Sequence, residues 1–130
     1  MIQFRLDPRS GVSTYLQIVH QVRHAVRLGI LRPGDQLPTV KEVVGSLAIN
    51  PNTVSKAYRE LEHDGLVEGR PGLGTFVRES VGGPPPGIHA GLRRGLDRWL
   101  RSAFDAGLDA EDVRALVETS LRERGQEGVA

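Results

Sequence analysis

The 130-residue sequence predicts an α+β fold that is mostly α: a small mixed module first, then a helical pair. Three observations carry this expectation. Capped helix starts at Thr39 and Asn50 flank a short Ala48-Ile49 turn. A Gly-rich stretch, Gly69-Arg70-Pro71-Gly72-Leu73-Gly74, follows between two short β-prone runs. Ser80-Val81-Gly82-Gly83-Pro84-Pro85-Pro86-Gly87 then forbids helix and favours an extended spacer. The expected organisation is therefore a module over 1–78, a Gly/Pro linker over 79–87, a helical segment over 88–124 and a disordered tail over 125–130.

The first helix is expected from Thr14, with Gln17 completing a capping box. Tyr15, Ile18, Val19, Val22 and Val26 recur at helical spacing and form one apolar stripe. Gly29 offers a left-handed stop, and Pro33-Gly34 turns the chain. A second capping box follows at Thr39 and Glu42, with Val40, Val43, Val44 and Leu47 as the inner face of about two turns. Asn50 is a strong N-cap, and Pro51 sits at the first helical position, where a missing N–H costs nothing. Val54, Ala57, Tyr58 and Leu61 then face inward, and Gly65 closes this third helix.

Leu66-Val67-Glu68 and Thr75-Phe76-Val77-Arg78 read as two short strands whose glycine-rich connection permits positive φ and close approach to another surface. Helix, turn, helix and hairpin in this order suit a winged helix-turn-helix, whose third helix enters the major groove of duplex DNA by its N-terminal turns. The outward positions there are Asn52, Thr53, Ser55, Lys56 and Arg59. Asn bonds adenine bidentately, Thr and Ser serve bases or phosphates, and Lys or Arg meets guanine or phosphate. Lys41 on the preceding helix and Arg70 on the wing are candidate backbone contacts.

Past the linker, Ile88, Leu92, Leu96, Trp99, Leu100, Ala103 and Phe104 describe one apolar helix face that Gly107 ends. Asp109 caps a last helix with apolar Val113, Leu116, Val117 and Leu121. Two helices totalling roughly 40 residues rarely stabilise themselves without a partner surface. A second copy of the hairpin is one candidate partner, with contacts at Leu92, Leu96, Trp99, Leu100, Phe104, Val113, Leu116 and Val117; the N-terminal module is the other.

Composition narrows the function classes. With 38% hydrophobic and 25% charged residues, the chain is neither disordered nor membrane-embedded. No cysteine is present, so disulfides and thiolate metal sites are excluded. The start, Met1-Ile2-Gln3-Phe4-Arg5, lacks a signal-peptide layout, and a cytoplasmic, nucleoid-associated protein with no membrane partner is expected. A net charge of +1 permits nucleic acid without arguing for it.

Catalytic and cofactor readings find little support. His20 and His24 have metal-compatible spacing but no third ligand nearby. Gly72-Leu73-Gly74 precedes a strand rather than a helix, so a phosphate cradle fails. Asp109, Glu111 and Asp112 suit a helix N-terminus, where the dipole favours negative charge. Arg93, Arg94, Arg98 and Arg101 read as a solvated face pairing with Asp97 and Asp105. Neither an enzyme nor a cofactor is expected.

Residues 12–77 resemble the winged helix-turn-helix domain of GntR-family bacterial transcription regulators. The matching pieces are Tyr15-Leu16-Gln17-Ile18, Leu31-Arg32-Pro33-Gly34-Asp35-Gln36-Leu37-Pro38-Thr39, Asn50 through Tyr58, Gly65-Leu66-Val67 and Gly72 through Val77. The resemblance implies DNA contacts at Lys41, Asn50, Asn52, Thr53 and Ser55, with the wing tip at Gly72. The family commonly carries Arg where this chain has Lys41, which keeps the charge without the bidentate fork. Arg is also common at the position of Ser55. The short helical C-terminus is similar to the YtrA subfamily, which implies a dimeric repressor of an inverted-repeat operator, often of a transporter operon. A small-molecule effector is implied by analogy only, and a hairpin this small encloses one only across a subunit interface.

Overall fold

The computed structural model describes residues 2–79 and 88–129, so the linker expected at 79–87 lies, from residue 80, outside the described residues. The chain divides into two compact units, Met1–His89 and Ala90–Ala130. The first contains helices α1 (Thr14–Arg27), α2 (Val40–Leu47) and α3 (Pro51–His63), followed by strands β1 (Val67–Arg70) and β2 (Gly74–Val77). The second contains nearly all of α4 (Ile88–Asp105) and α5 (Ala110–Val129).

Helix α3 is the hub of the first unit, with α1, α2 and β1 all packed on it. Its Val54, Ala57, Tyr58 and Leu61 are buried, as the helical spacing predicts. From α1 come Ile18, Val19, Val22, Ala25 and Val26. Each Val, Leu or Ile fully removed from water contributes about 1.5–3 kcal/mol, so this face, rather than local propensity, holds the helices. Of the predicted inner face of α2, Val43 is buried while Val40, Val44 and Leu47 pack at its margin. No charged side chain is buried among the described residues.

The helix boundaries follow local chemistry in most places. Thr39 and Glu42 form the expected reciprocal capping box, and the Asn50 side chain accepts from the Asn52 N–H at 2.8 Å, with Pro51 at the first helical position. Between α2 and α3 the chain reverses through Ala48, a non-glycine residue in the left-handed region with φ 53°.

The cap expected at Thr14 and Gln17 does not form. Ser13 is the N-cap of α1 and makes no side-chain cap bond. The Gln17 amide is drawn to the N-terminal arm instead: it accepts from the Asp7 N–H at 2.8 Å and donates to the Asp7 carbonyl at 2.9 Å. One turn later Gln21 does the same for Arg5, at 3.0 and 2.6 Å. Two side-chain amides thus imitate a neighbouring strand, and they bind the arm so that Phe4 enters the core.

The wing is also tighter than expected. Strands predicted at 66–68 and 75–78 are instead Val67–Arg70 and Gly74–Val77, paired antiparallel as Val67↔Val77, Glu68↔Phe76, Gly69↔Thr75 and Arg70↔Gly74. Only Pro71-Gly72-Leu73 remains as the tip. Cross-strand contacts extend the ladder through Gly69 despite its weak strand propensity: the Arg70 guanidinium lies 4.4 Å from the Phe76 ring centroid. A further segment lines the other edge of β2, with Leu37 N–H donating to the Thr75 carbonyl and Val77 N–H to the Asp35 carbonyl, both at 2.8 Å.

In the second unit, Gly107 takes φ 99° after α4, and Asp109 caps α5 through reciprocal bonds with Asp112. Helix α5 continues to Val129, beyond the boundary expected at 124. Ala103 and Val113 are buried inside this unit.

Tyr58 ties the hub to the chain entering α2: its buried hydroxyl donates to the Pro38 carbonyl at 2.6 Å. Burial pushes its pKa well above the ordinary 10.0, and the Glu42 carboxylate adds to the rise. Tyr58→Phe should destabilise the protein by about 1–3 kcal/mol, because the Pro38 carbonyl is left unpaired; urea unfolding at pH 7 measures this. The raised value means the tyrosine's contribution is complete below pH 10.0 and declines above it, as the unfolded chain ionises first. Wild-type stability should therefore fall above that pH by a component that Tyr58→Phe lacks.

Candidate nucleic-acid interface

Helix α3 presents its N-terminal turns outward because its opposite face is consumed by the core. Asn50, Asn52, Lys56 and Arg59 are exposed, and Thr53 and Ser55 are half-buried. Asn50 has a double duty: its side-chain oxygen caps the helix, leaving the amide NH₂ for an outside acceptor. The first N–H groups of the helix add a positive dipole end on the same side.

Lys56 reaches back across the hub, with its ammonium 4.0 Å from the Tyr15 ring centroid. This cation–π contact aims the side chain along α1 and restricts its freedom while leaving the charge exposed. Among the described residues, no carboxylate forms an ion pair with Lys41, Lys56 or Arg59.

Lys41 lies exposed in the first turn of α2, two residues after the Thr39 cap. Thr39 and the wing residues Gly69 through Thr75 line one surface hollow of about 590 Å³. The beginning of α2 and the wing therefore share a surface, which sequence spacing alone does not reveal. Gly72, at the tip, is exposed and has φ 75°, a conformation that favours glycine.

Arg70 differs from the simple expectation of a free wing cation. It lies in β1, bonds the Glu68 carboxylate at 2.8 and 3.2 Å, and stacks on Phe76. Reaching a phosphate requires exchanging this half-exposed pair, which is worth only about 0–1 kcal/mol.

Sequence reasoning missed two contributors. One is the N-terminal arm, bound through Gln17 and Gln21, whose signal was only a pair of amides four residues apart. The other is Gln36, which bridges to Phe76 and donates to the Leu73 carbonyl at 3.1 Å; no alternating pattern marks a strand that short.

His20 and His24 are exposed on α1. Among the described residues no cluster of three or more His, Cys, Asp or Glu is placed to hold a metal. No helix among them is long and apolar enough to cross a membrane. Of the α4 arginines, Arg93 pairs with Asp97 at 3.3 Å.

An exposed, capped helix backed by a three-helix core and flanked by a narrow wing defines a winged helix-turn-helix DNA-binding unit. Residues 14–77 match the family described as bacterial regulatory proteins, gntR family. Over 119 residues the chain is 48% identical to the HTH-type transcriptional repressor YtrA of Bacillus subtilis (strain 168), covering 91% of this chain and 90% of that one. A solved structure of YtrA from Sulfolobus acidocaldarius, a GntR-family transcription factor, has TM-score 0.56 at 30% identity, over 75% of this chain and 97% of that one. The crystal structure of a transcriptional antiterminator from Listeria monocytogenes EGD-e has TM-score 0.60 at 28% identity, over 92% and 90%. The chain belongs to the GntR family and is a DNA-binding transcription regulator with a helical C-terminal region.

Glu68→Gln should free Arg70 for phosphate. The salt dependence of duplex binding, measured by fluorescence anisotropy, should then steepen by about one unit of log–log slope. An unchanged slope would mean that Arg70 does not reach the backbone.

Proposed function

We propose that the protein is a homodimeric repressor in which each α3 enters one major-groove half-site of an inverted-repeat operator. Half-site spacing then follows the two-fold symmetry of the dimer. The observation that carries the dimer is the apolar face of the helical hairpin, uncovered in a single chain: Leu92 is 64% exposed and Leu121 66%, with Leu96, Trp99, Phe104, Leu116 and Val117 also exposed. Leu96, Trp99, Leu116, Val117 and Leu121 line one trough of about 340 Å³. An apolar surface of this kind needs a cover, and the same hairpin from a second subunit supplies a matching one.

Two of the residues expected at that contact take other positions. Val113 is buried within its own hairpin and Leu100 is half-buried, so both support the surface from behind. Leu121 joins the contact instead. A small-molecule effector, if the protein responds to one, would sit where two hairpins meet. By likeness to the YtrA repressor the regulated genes are those of a transporter operon, acted on in the cytoplasm at the nucleoid.

At the DNA, Asn52 and Thr53 read bases, while Asn50, Ser55, Lys56, Lys41, Arg59, Arg70 and the Gly72 backbone hold the duplex. Asn52→Ala or Thr53→Ala should cost about 1–3 kcal/mol on the selected operator and relax preference at one position. Lys41→Ala should weaken all duplexes alike and flatten the salt slope. In vitro selection of bound sequences followed by titration tests both; equal losses on operator and random DNA for Asn52→Ala would remove its base-reading role.

Light scattering of the intact protein at micromolar concentration should give twice the chain mass. Truncation after Glu79 should leave a module that binds a single half-site unchanged and the full operator on the order of 100-fold more weakly. A monomer with undiminished operator affinity would overturn the dimer.

A further inference from the structure

Leu73 is a large apolar side chain at the most projecting point of the wing, and it is 66% exposed. Its backbone is held on both sides. The N–H donates to the Arg70 carbonyl at 2.9 Å, and the carbonyl accepts from the Gln36 amide at 3.1 Å. Gln36 is itself anchored by its bridge to Phe76. Gly74 completes the arrangement: with φ 128°, a Cβ there would come within 2.6 Å of the Gln36 amide nitrogen. The tip is thus braced from outside its own hairpin, and the brace acts on the one residue whose side chain finds no cover in the unit.

Ordering an exposed leucine brings no return within the chain, since its apolar surface stays in water. The return comes if another surface covers it. The neighbouring tip residues Pro71 and Gly72 are also exposed and uncharged. A small, uncharged and rigid projection beside a DNA-reading helix fits the sugar walls of a minor groove, where apolar side chains make wedge contacts.

We propose that Leu73 is an apolar DNA contact of the wing and that Gln36 is the positioning residue that holds it at the groove. This rests on the DNA-docking mode under Proposed function. Leu73 contacts sugar and base edges without neutralising phosphate, and Gln36 acts through the Leu73 carbonyl without touching DNA.

The test uses the full chain and its selected operator, with four variants: Leu73→Ala, Leu73→Lys, Gln36→Met and the double variant Gln36→Met/Leu73→Ala. Methionine keeps the length of Gln36 but cannot donate. Leu73→Ala should weaken operator binding about fivefold, with an unchanged salt slope because no counterions are released by an apolar contact. Leu73→Lys should recover affinity at low salt and steepen the slope by about one. Gln36→Met should lose about threefold on the Leu73 background and nothing further once residue 73 is alanine. Hydroxyl-radical footprints of Leu73→Ala should lose protection only in the minor groove beside each half-site. Melting temperatures of all four should match the parent, which separates contact from folding.

Operator affinity unchanged in Leu73→Ala would overturn the contact, and a Gln36→Met loss that persists in the double variant would overturn the positioning role. Failure of the parent protein to bind any duplex would instead strike the docking mode itself, and that result is read from the parent alone.

Discussion

Everything exposed by this protein depends on the burial of one face of α3. Val54, Ala57, Tyr58 and Leu61 are taken up by α1, α2 and β1, and a helix of 13 residues would be marginal without them. Because the apolar stripe recurs at 3.6 residues, burying it leaves Asn52, Lys56 and Arg59 on the outside. Tyr58 adds direction to this burial. Its hydroxyl holds the Pro38 carbonyl one residue before the Thr39 cap, so the start of α2 is set from the middle of α3.

The same core face also explains how the wing is carried. Val67 and Val77 pair across the hairpin and both are fully buried, so the strands are anchored at their base. Toward the tip apolar anchoring gives way to polar connections: Glu68 with Arg70, Arg70 over Phe76, and Gln36 to Leu73. The wing is stiff at the root by exclusion of water and stiff at the end by directed bonds. The Arg23–Asp64 pair links α1 to the end of α3 in the same polar fashion.

The two units solve the problem of burial differently. The first encloses a core of its own, from Phe4 on the arm to Val77 on β2. The second buries only Ala103 and Val113 and leaves its larger apolar residues in solvent. A hairpin with so little interior gains its stability from what covers it, and the chemistry of GntR-type regulation supplies a reason for that cover to be another subunit.

Much of this was legible in the order of residues. The Thr39 and Glu42 box, the Asn50-Pro51 start, the stops at Gly29, Gly65 and Gly107, and the buried stripes of α1 and α3 all depend on groups within one or two turns of each other. Local sterics and hydrogen bonding decide such features before the chain folds. The DNA-facing positions on α3 followed from them, since one face of a helix determines the other. What required the tertiary structure were partnerships across long separations: Gln21 with Arg5, Gln36 with Leu73, Lys56 with Tyr15, and Val113 turned inward while Leu121 turned out. A side-chain amide or an ammonium has no preferred partner until packing brings one within about 3–4 Å, and for that reason the brace on the wing and the strap of the arm belong to the fold rather than to the string of letters.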